Sequence, residues 1–211
     1  MSMSDKVITR DGSYTLYSKK YNEHYHSLSG AFQEAFLKYV QPCMIKDGMH
    51  ILDICFGIGY NSCAAISAAK DIKIIAIEND PDVLKQISNI DVPEQLKRCY
   101  EIIKAVAKKH YYKDEDYEIE LINEDAATAV TKINKSFDAI FLDPFSPKNN
   151  PELWTAAFLK EIFRLMKKNA TLATYSCARH IRENLVQAGF AVKDGPIVGR
   201  RGPSTIAHKN L

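Results

Sequence analysis

The stretch FDAIFLDPFSPKNNPELW, residues 137–154, is an apolar run that ends in Asp143 and passes at once into a proline-rich loop. The run 137–142 reads as a buried strand. An acid at the carboxyl end of such a strand, beside a stiff loop that can hold a ligand, is where an open α/β sheet places its chemistry. Asp143 is therefore the residue around which the rest of the chain is read.

Working outward, apolar runs of strand length alternate with helical patterns from residue 49 onward. Strands are expected at 49–55 (MHILDIC), 72–78 (IKIIAIE), 117–122, 137–142 and 170–175, with helices near 61–70 and 178–188. This alternation predicts an α/β fold, a mostly parallel sheet with helices on both faces. Asp80 and Pro81 read as the cap and first residue of another helix, and Gly189 as the residue that ends the helix at 178–188. The charged, tyrosine-rich segment 91–117 is expected to supply one or two covering helices. Lys167 and Lys168 are placed at a helix C-terminus, where the macrodipole accounts for them. Residues 190–209 are read as a short strand, a turn region (DGPIVGRRGPS) and a last strand, STIAH. The beginning differs. Residues 11–30 (DGSYTLYSKKYNEHYHSLSG) alternate polar and aromatic side chains, and an amphipathic helix follows at 31–40. We expect a hairpin or extended arm over the ligand edge, so that residues 1–40 form an arm and helix packed on a core of 41–211.

Composition bounds the function. The chain has 211 residues, 46% hydrophobic and 26% charged, enough for one substantial core. Its 28 Lys+Arg against 26 Asp+Glu leave a net charge of +2, so affinity for nucleic acid has to come from a local patch. The five cysteines are odd in number and without CxxC spacing, which fits reduced small hydrophobes in a cytoplasmic setting and neither a disulfide framework nor a metal site. No window approaches the ~18 apolar residues that span a bilayer, so no membrane association is expected.

After the first strand, Phe56-Gly57-Ile58-Gly59-Tyr60-Asn61 forms a glycine-spaced turn into a helix. Glycines there let the backbone approach a ligand, although a strand-to-helix turn also uses glycine for conformation alone. Glu78 ends the second strand, suited to ribose hydroxyls. Asp125 and Ala126 follow the third, suited to an adenine amine, and Asp125 is equally a helix cap. The third glycine of the dinucleotide fingerprint is missing. A nucleoside with a zwitterionic tail, needing acids rather than a phosphate cradle, fits this set: S-adenosyl-L-methionine, released as S-adenosyl-L-homocysteine.

FGIGYN (56–61), IEND (77–80), NEDA (123–126) and the block after Leu142 resemble class I S-adenosyl-L-methionine-dependent methyltransferases. The arm at 11–27, LDPFSPKNNPELWT (142–155), LATYSCARHIRENLVQAGF (172–190) and GRRGPSTIAHK (199–209) narrow the resemblance to the methyltransferase half of the bifunctional bacterial enzymes that complete 5-methylaminomethyl-2-thiouridine at the tRNA wobble position. The resemblance implies a Rossmann-like seven-stranded sheet, a tRNA partner, and N-methylation of a 5-aminomethyl group on uridine, with or without a 2-thio group. This sequence carries no flavin domain after Leu211, so a stand-alone form is expected, and Pro144 stands where the family commonly has glycine.

On this reading Asp143 orients the amine first and receives its proton second, and it also borders the cofactor. Phe145 either stacks on uracil and walls off the methyl group or is a core aromatic. Tyr25, His26 and Ser27 lie near the substrate by the resemblance, His26 as a proton relay or as a structural histidine. Trp154 is assigned to the core. An RNA patch is expected from Lys19, Lys20, Lys148, Arg179, Arg182, Arg200 and Arg201, the last two the leading phosphate contacts. Two other functions stay open: an aminopropyltransferase of the spermidine synthase type, and a non-enzymatic RNA-binding protein on this scaffold.

Overall fold

The computed structural model describes residues 5–209. Strands β4 (His50–Ile54), β5 (Ile72–Ile77), β7 (Tyr117–Ile122), β8 (Phe137–Leu142) and β9 (Met166–Thr174) run parallel, and β6 (Tyr111–Lys113), β10 (Ala191–Asp194) and β11 (Thr205–His208) complete the sheet antiparallel. The order is β10-β11-β9-β8-β4-β5-β7-β6. The chain builds outward from β4 to one edge, then returns beside β4 with β8 and builds toward the other. The crevice at such a switch point is where open α/β sheets bind ligands. The four residues after His50 in β4 and the last four of β8 are buried, as continuous apolar strands covered on both faces must be.

Two apolar layers cover the sheet. One joins α1 (Ala31–Ala35), α2 (Tyr60–Ala68), α3 (Pro81–Ile87) and α4 (Lys97–Lys109) through Tyr39, Tyr100 and Ile103. The other joins α5 (Ala126–Lys132), α6 (Ala156–Leu165) and α7 (Arg179–Gln187) through Trp154, Phe158 and Leu185. Local signals behave as their chemistry requires. Asp80 accepts from the amides of Asp82 and Val83 with Pro81 as first helical residue. At the end of α7, Gly189 (φ 107°) donates to Val186 and Phe190 to Leu185, the paired bonds of a Schellman turn.

Three expectations are corrected. The main sheet has eight strands, because the segment at 91–117 holds α4 and then the edge strand β6, which pairs with β7 after a left-handed turn at His110. Next, β9 starts at Met166, so Lys167 and Lys168 lie in a strand and not at a helix end. A register shift between Phe137 and Ala139 admits the extra residues, and Lys167 Nζ meets Asp138 Oδ2 at 2.7 Å. Finally, the helix at 31–40 changes character midway: Phe36–Val40 is π-helical, with the Gln41 amide bonding back to Phe36. The arm is a separate small sheet of β1 (Asp5–Ile8), β2 (Tyr14–Ser18) and β3 (Glu23–His24). No helix among the described residues is long and apolar enough to cross a membrane.

Candidate active site

The carboxyl ends of the central strands are bonded to one another just past the sheet. The Phe56 amide reaches Ile77 O at 2.9 Å, Glu78 reaches Ile122 O at 3.1 Å, and Asp143 reaches Ile54 O at 3.1 Å. These bonds bring three acid-bearing loops to one cleft of about 410 Å³, roofed by the arm. Eight carboxylates line it against two permanent cations, Lys38 and Arg200. Such a balance suits a cationic ligand with hydroxyl donors and leaves a pyrophosphate without counter-charge.

Glu78 organises one part of the wall. It is 8% exposed, and its two oxygens accept from the amides of Gly57 (2.8 Å) and Asp80 (2.9 Å). Burial raises its pKa against those bonds. Each oxygen keeps a lone pair for a ligand hydroxyl. Gly57 (φ 56°) also lines the cleft, and a Cβ there would stand 3.2 Å from Tyr25 Cδ1, so the residue is small where the arm comes closest.

Asp143 lies between this wall and the arm. Tyr39 Oη donates to Oδ1 at 2.5 Å and Asn61 Nδ2 to Oδ2 at 2.9 Å. Burial pushes the carboxyl up to about 6, and the Tyr39 and Asn61 bonds pull the other way. The group is ionised at neutral pH. Phe145 faces the cleft within a cluster of arm rings, 4.5 Å from Tyr21 and 5.0 Å from Tyr25 between centroids, while its carbonyl accepts from Trp154 Nε1 at 3.0 Å. Trp154 is in the core. Glu23 of β3 fastens the arm to the loop after Asp143: it accepts from the Ser146 amide at 3.2 Å and from Asn149 Nδ2 at 2.6 Å.

Of the remaining expected residues, Tyr25, His26, Ser27, Ala126 and Arg200 line the cleft. His26 packs edge-on against Tyr60, and burial pushes it down to about 4, so it is neutral at pH 7. Asp125 lines the cleft and also caps α5, accepting from the Thr128 amide at 3.1 Å, so both of its readings hold geometrically. Gly59, Tyr60 and Asn61 stand behind the wall. Gly59 is packed against Ile103 and Phe56, and the Tyr60 hydroxyl accepts from the Tyr14 amide at 3.1 Å, anchoring the arm. Lys148 and Arg201 are exposed and outside the cleft. Arg200 donates to the carbonyls of Tyr175 and Pro203 and lies over the Tyr175 ring, so it shapes its own loop. Arg182 is tied to Thr205, Ser204 and Asp194, and Arg179 pairs with Glu183 at the surface.

Sequence reading missed Tyr39, Glu34, Lys38 and Asp53. Glu34 accepts from the Ser27 amide at 2.7 Å and pairs with Lys38, both at the cleft. A buried lysine and tyrosine side by side at 38–39 on a helix with an apolar face give no such signal, because their direction depends on the π turn. Asp53 did carry one, an acid inside MHILDIC. It is fully buried, takes Ser62 Oγ at 2.6 Å, and burial pushes it up to about 7.

That shift predicts a pH effect. The folded state holds the Asp53 proton more tightly than the unfolded chain, so between pH ~4 and ~7 rising pH costs stability through this group. Relative to wild type, Asp53→Asn should gain on the order of 3 kcal/mol on moving from pH 4 to pH 8. Urea unfolding at both pH values checks this, and a difference independent of pH refutes it.

The family model described as S-adenosyl-L-methionine-dependent methyltransferase matches residues 89–210. An uncharacterized protein of Methanocaldococcus jannaschii is 37% identical, covering 97% of this chain and 59% of its own length. The tRNA 5-methylaminomethyl-2-thiouridine biosynthesis bifunctional protein MnmC of Ralstonia nicotianae is 26% identical over 92% of this chain and 33% of its own. The chain therefore spans about a third of the length of that bifunctional relative. The crystal structure of MNMC2 from Aquifex aeolicus superposes with a TM-score of 0.86 at 30% identity, over 98% of this chain and 70% of that one. A spermidine synthase shares the fold at TM-score 0.63 and 15% identity.

Proposed function

Because the chain belongs to the S-adenosyl-L-methionine-dependent methyltransferase family, we propose that its cleft binds that cofactor and N-methylates the 5-aminomethyl group of a tRNA wobble uridine. The observation that carries this reading is the position of Asp143, clamped at the switch point between the Glu78 wall and the arm. The likeness to proteins named for that tRNA modification supports the substrate.

The residues present fit the cofactor. Glu78 and Asp125 are acceptors for hydroxyl and amine donors, Gly57 is small at the point of closest approach, and no permanent cation is among the residues that Glu78 gathers. When bound, S-adenosyl-L-methionine supplies a methyl group on a cationic sulfur. Asp143 accepts a hydrogen bond from the substrate amine and aims its lone pair into the cleft. A free alkylamine is mostly protonated near neutral pH. The Asp143 charge favours that ammonium form, so orientation is its main contribution and uptake of the released proton its second. Phe145, with Tyr21 and Tyr25, offers ring faces for the base and keeps water from the reacting amine.

The test is incubation of the chain with labelled S-adenosyl-L-methionine and tRNA carrying 5-aminomethyluridine, followed by nucleoside mass analysis. A mass gain of one methyl group on that nucleoside is expected. An aminopropyl gain from the decarboxylated cofactor, or no gain together with no cofactor binding, overturns the proposal in favour of the other two functions. Glu78→Gln should raise the dissociation constant for S-adenosyl-L-methionine at least about tenfold, the size of one lost charged hydrogen bond. Calorimetry reads it, and an unchanged constant removes Glu78 from the cofactor wall.

A further inference from the structure

We infer that Tyr39 and Asn61 form a clamp that aims Asp143 into the cleft and keeps its carboxylate an acceptor, so that the reactivity of the site is set from behind its wall. The inference rests on the reading of Asp143 as the residue that receives the amine. Neither residue lines the cleft, and they are 1% and 2% exposed. Each takes one oxygen of the carboxylate, Tyr39 at 2.5 Å and Asn61 at 2.9 Å. Two donors on opposite oxygens fix the plane of the carboxyl group and leave its other lone pairs to face outward.

Both partners are held at a cost that packing alone does not explain. Asn61 Oδ1 is buried with no partner among the described residues, an expense that an apolar side chain would avoid, so its amide nitrogen is what the position retains it for. Tyr39 sits on the π-helical turn Phe36–Val40, a rare backbone form that concentrates at functional sites, with its ring edge-on to Phe141 of β8 at 5.8 Å. Its phenol keeps its proton, because burial and the Asp143 charge both hold its pKa well above the ordinary tyrosine value. Tyr39 therefore acts as donor and Asp143 as acceptor.

The other ionisable groups around Asp143 are Glu34 and Lys38 from the helix at 31–40, Asp53 and Cys55 from β4 and its end, and Tyr175 past β9. Glu34 opposes ionisation and Lys38 favours it, and the two are paired with each other. Tyr39 and Asn61 are thus the neutral donors that favour the carboxylate against burial.

The experiment uses the full chain and the isosteric Tyr39→Phe. Carbon-13 NMR of the aspartate carboxyls, with Asp143 assigned by Asp143→Asn, follows its titration without any substrate. The Asp143 midpoint should rise by about one pH unit in Tyr39→Phe, the effect of one charge-assisted hydrogen bond. Asn61→Ala, which frees the other oxygen, should move it the same way. In methyl-transfer assays the acid limb of kcat/KM should follow, with activity about threefold below wild type at pH 6.5 and regained by pH 9. An unchanged midpoint in both variants overturns the clamp. A midpoint that moves while the acid limb stays in place leaves the clamp standing and removes Asp143 as the receiver of the amine, so the two readings fail separately.

Discussion

Asp143→Ala is expected to lower kcat/KM for methyl transfer by at least about a hundredfold while leaving the affinity for S-adenosyl-L-methionine within a few fold. The magnitude follows from what the residue does: a positioned acid–base group contributes ~10²–10⁴ in rate, and misplacement of the nucleophile alone can cost ~10². The cofactor wall does not depend on it, because Glu78 is held by the amides of Gly57 and Asp80. The fold survives as well. Asp143 is held against the preference of burial, which pushes its carboxyl up to about 6, so its removal takes away a group that destabilises the native state at neutral pH while leaving Tyr39 Oη and Asn61 Nδ2 to find water. Labelled-methyl transfer and calorimetry on the same preparation decide it. Full activity in the variant ends the mechanism proposed above.

The second large effect is on stability. Gly59→Ala should destabilise the protein by about 3 kcal/mol and lower Tm by about 10 °C. Gly59 has φ 83°, a conformation that strains any side chain, and an added Cβ would lie 2.4 Å from Ile103 Cγ2 and 2.8 Å from Phe56 Cζ. Both neighbours are buried and cannot withdraw. Gly57→Ala, by contrast, meets a single ring of the arm at 3.2 Å and should cost about 1 kcal/mol through backbone strain. Thermal unfolding followed by circular dichroism ranks the two. If Gly57→Ala proves the more damaging, the division between a packing glycine and a cleft glycine is wrong.

That division shows where sequence reading reaches its limit. The two glycines of FGIGYN look equivalent on paper, yet one borders the cleft and the other packs α2 against α4. The strand termini were legible because β5 and β8 each end in four buried apolar residues and are followed at once by an acid, Glu78 and Asp143. The bounds of β7 and β8 fall where the pattern puts them. Lys167 and Lys168 were misread because macrodipole reasoning treats them as the end of a helix, whereas an irregular pairing across from Asp138 draws them into β9. Tyr39 was invisible for a different reason. A helical wheel with 3.6 residues per turn does not apply to the π turn Phe36–Val40, so the face that a side chain takes there cannot be read from spacing. Asp125 lay between the two cases, since one carboxylate both caps α5 and faces the cleft.

The fastening of the arm by Glu23 to Ser146 and Asn149 sets an order of events during synthesis. Those partners are separated by 123 and 126 positions, and Tyr39 and Asp143 by 104. The arm is made before the loop after β8, and although its anchor Tyr60 follows early, the Glu23 partners emerge several seconds later at ~5–20 residues per second. Contacts of such long range form slowly. The ligand-competent cleft is thus completed late, and a nascent chain stalled before residue 143 would carry the arm and the Glu78 wall without the surface that joins them.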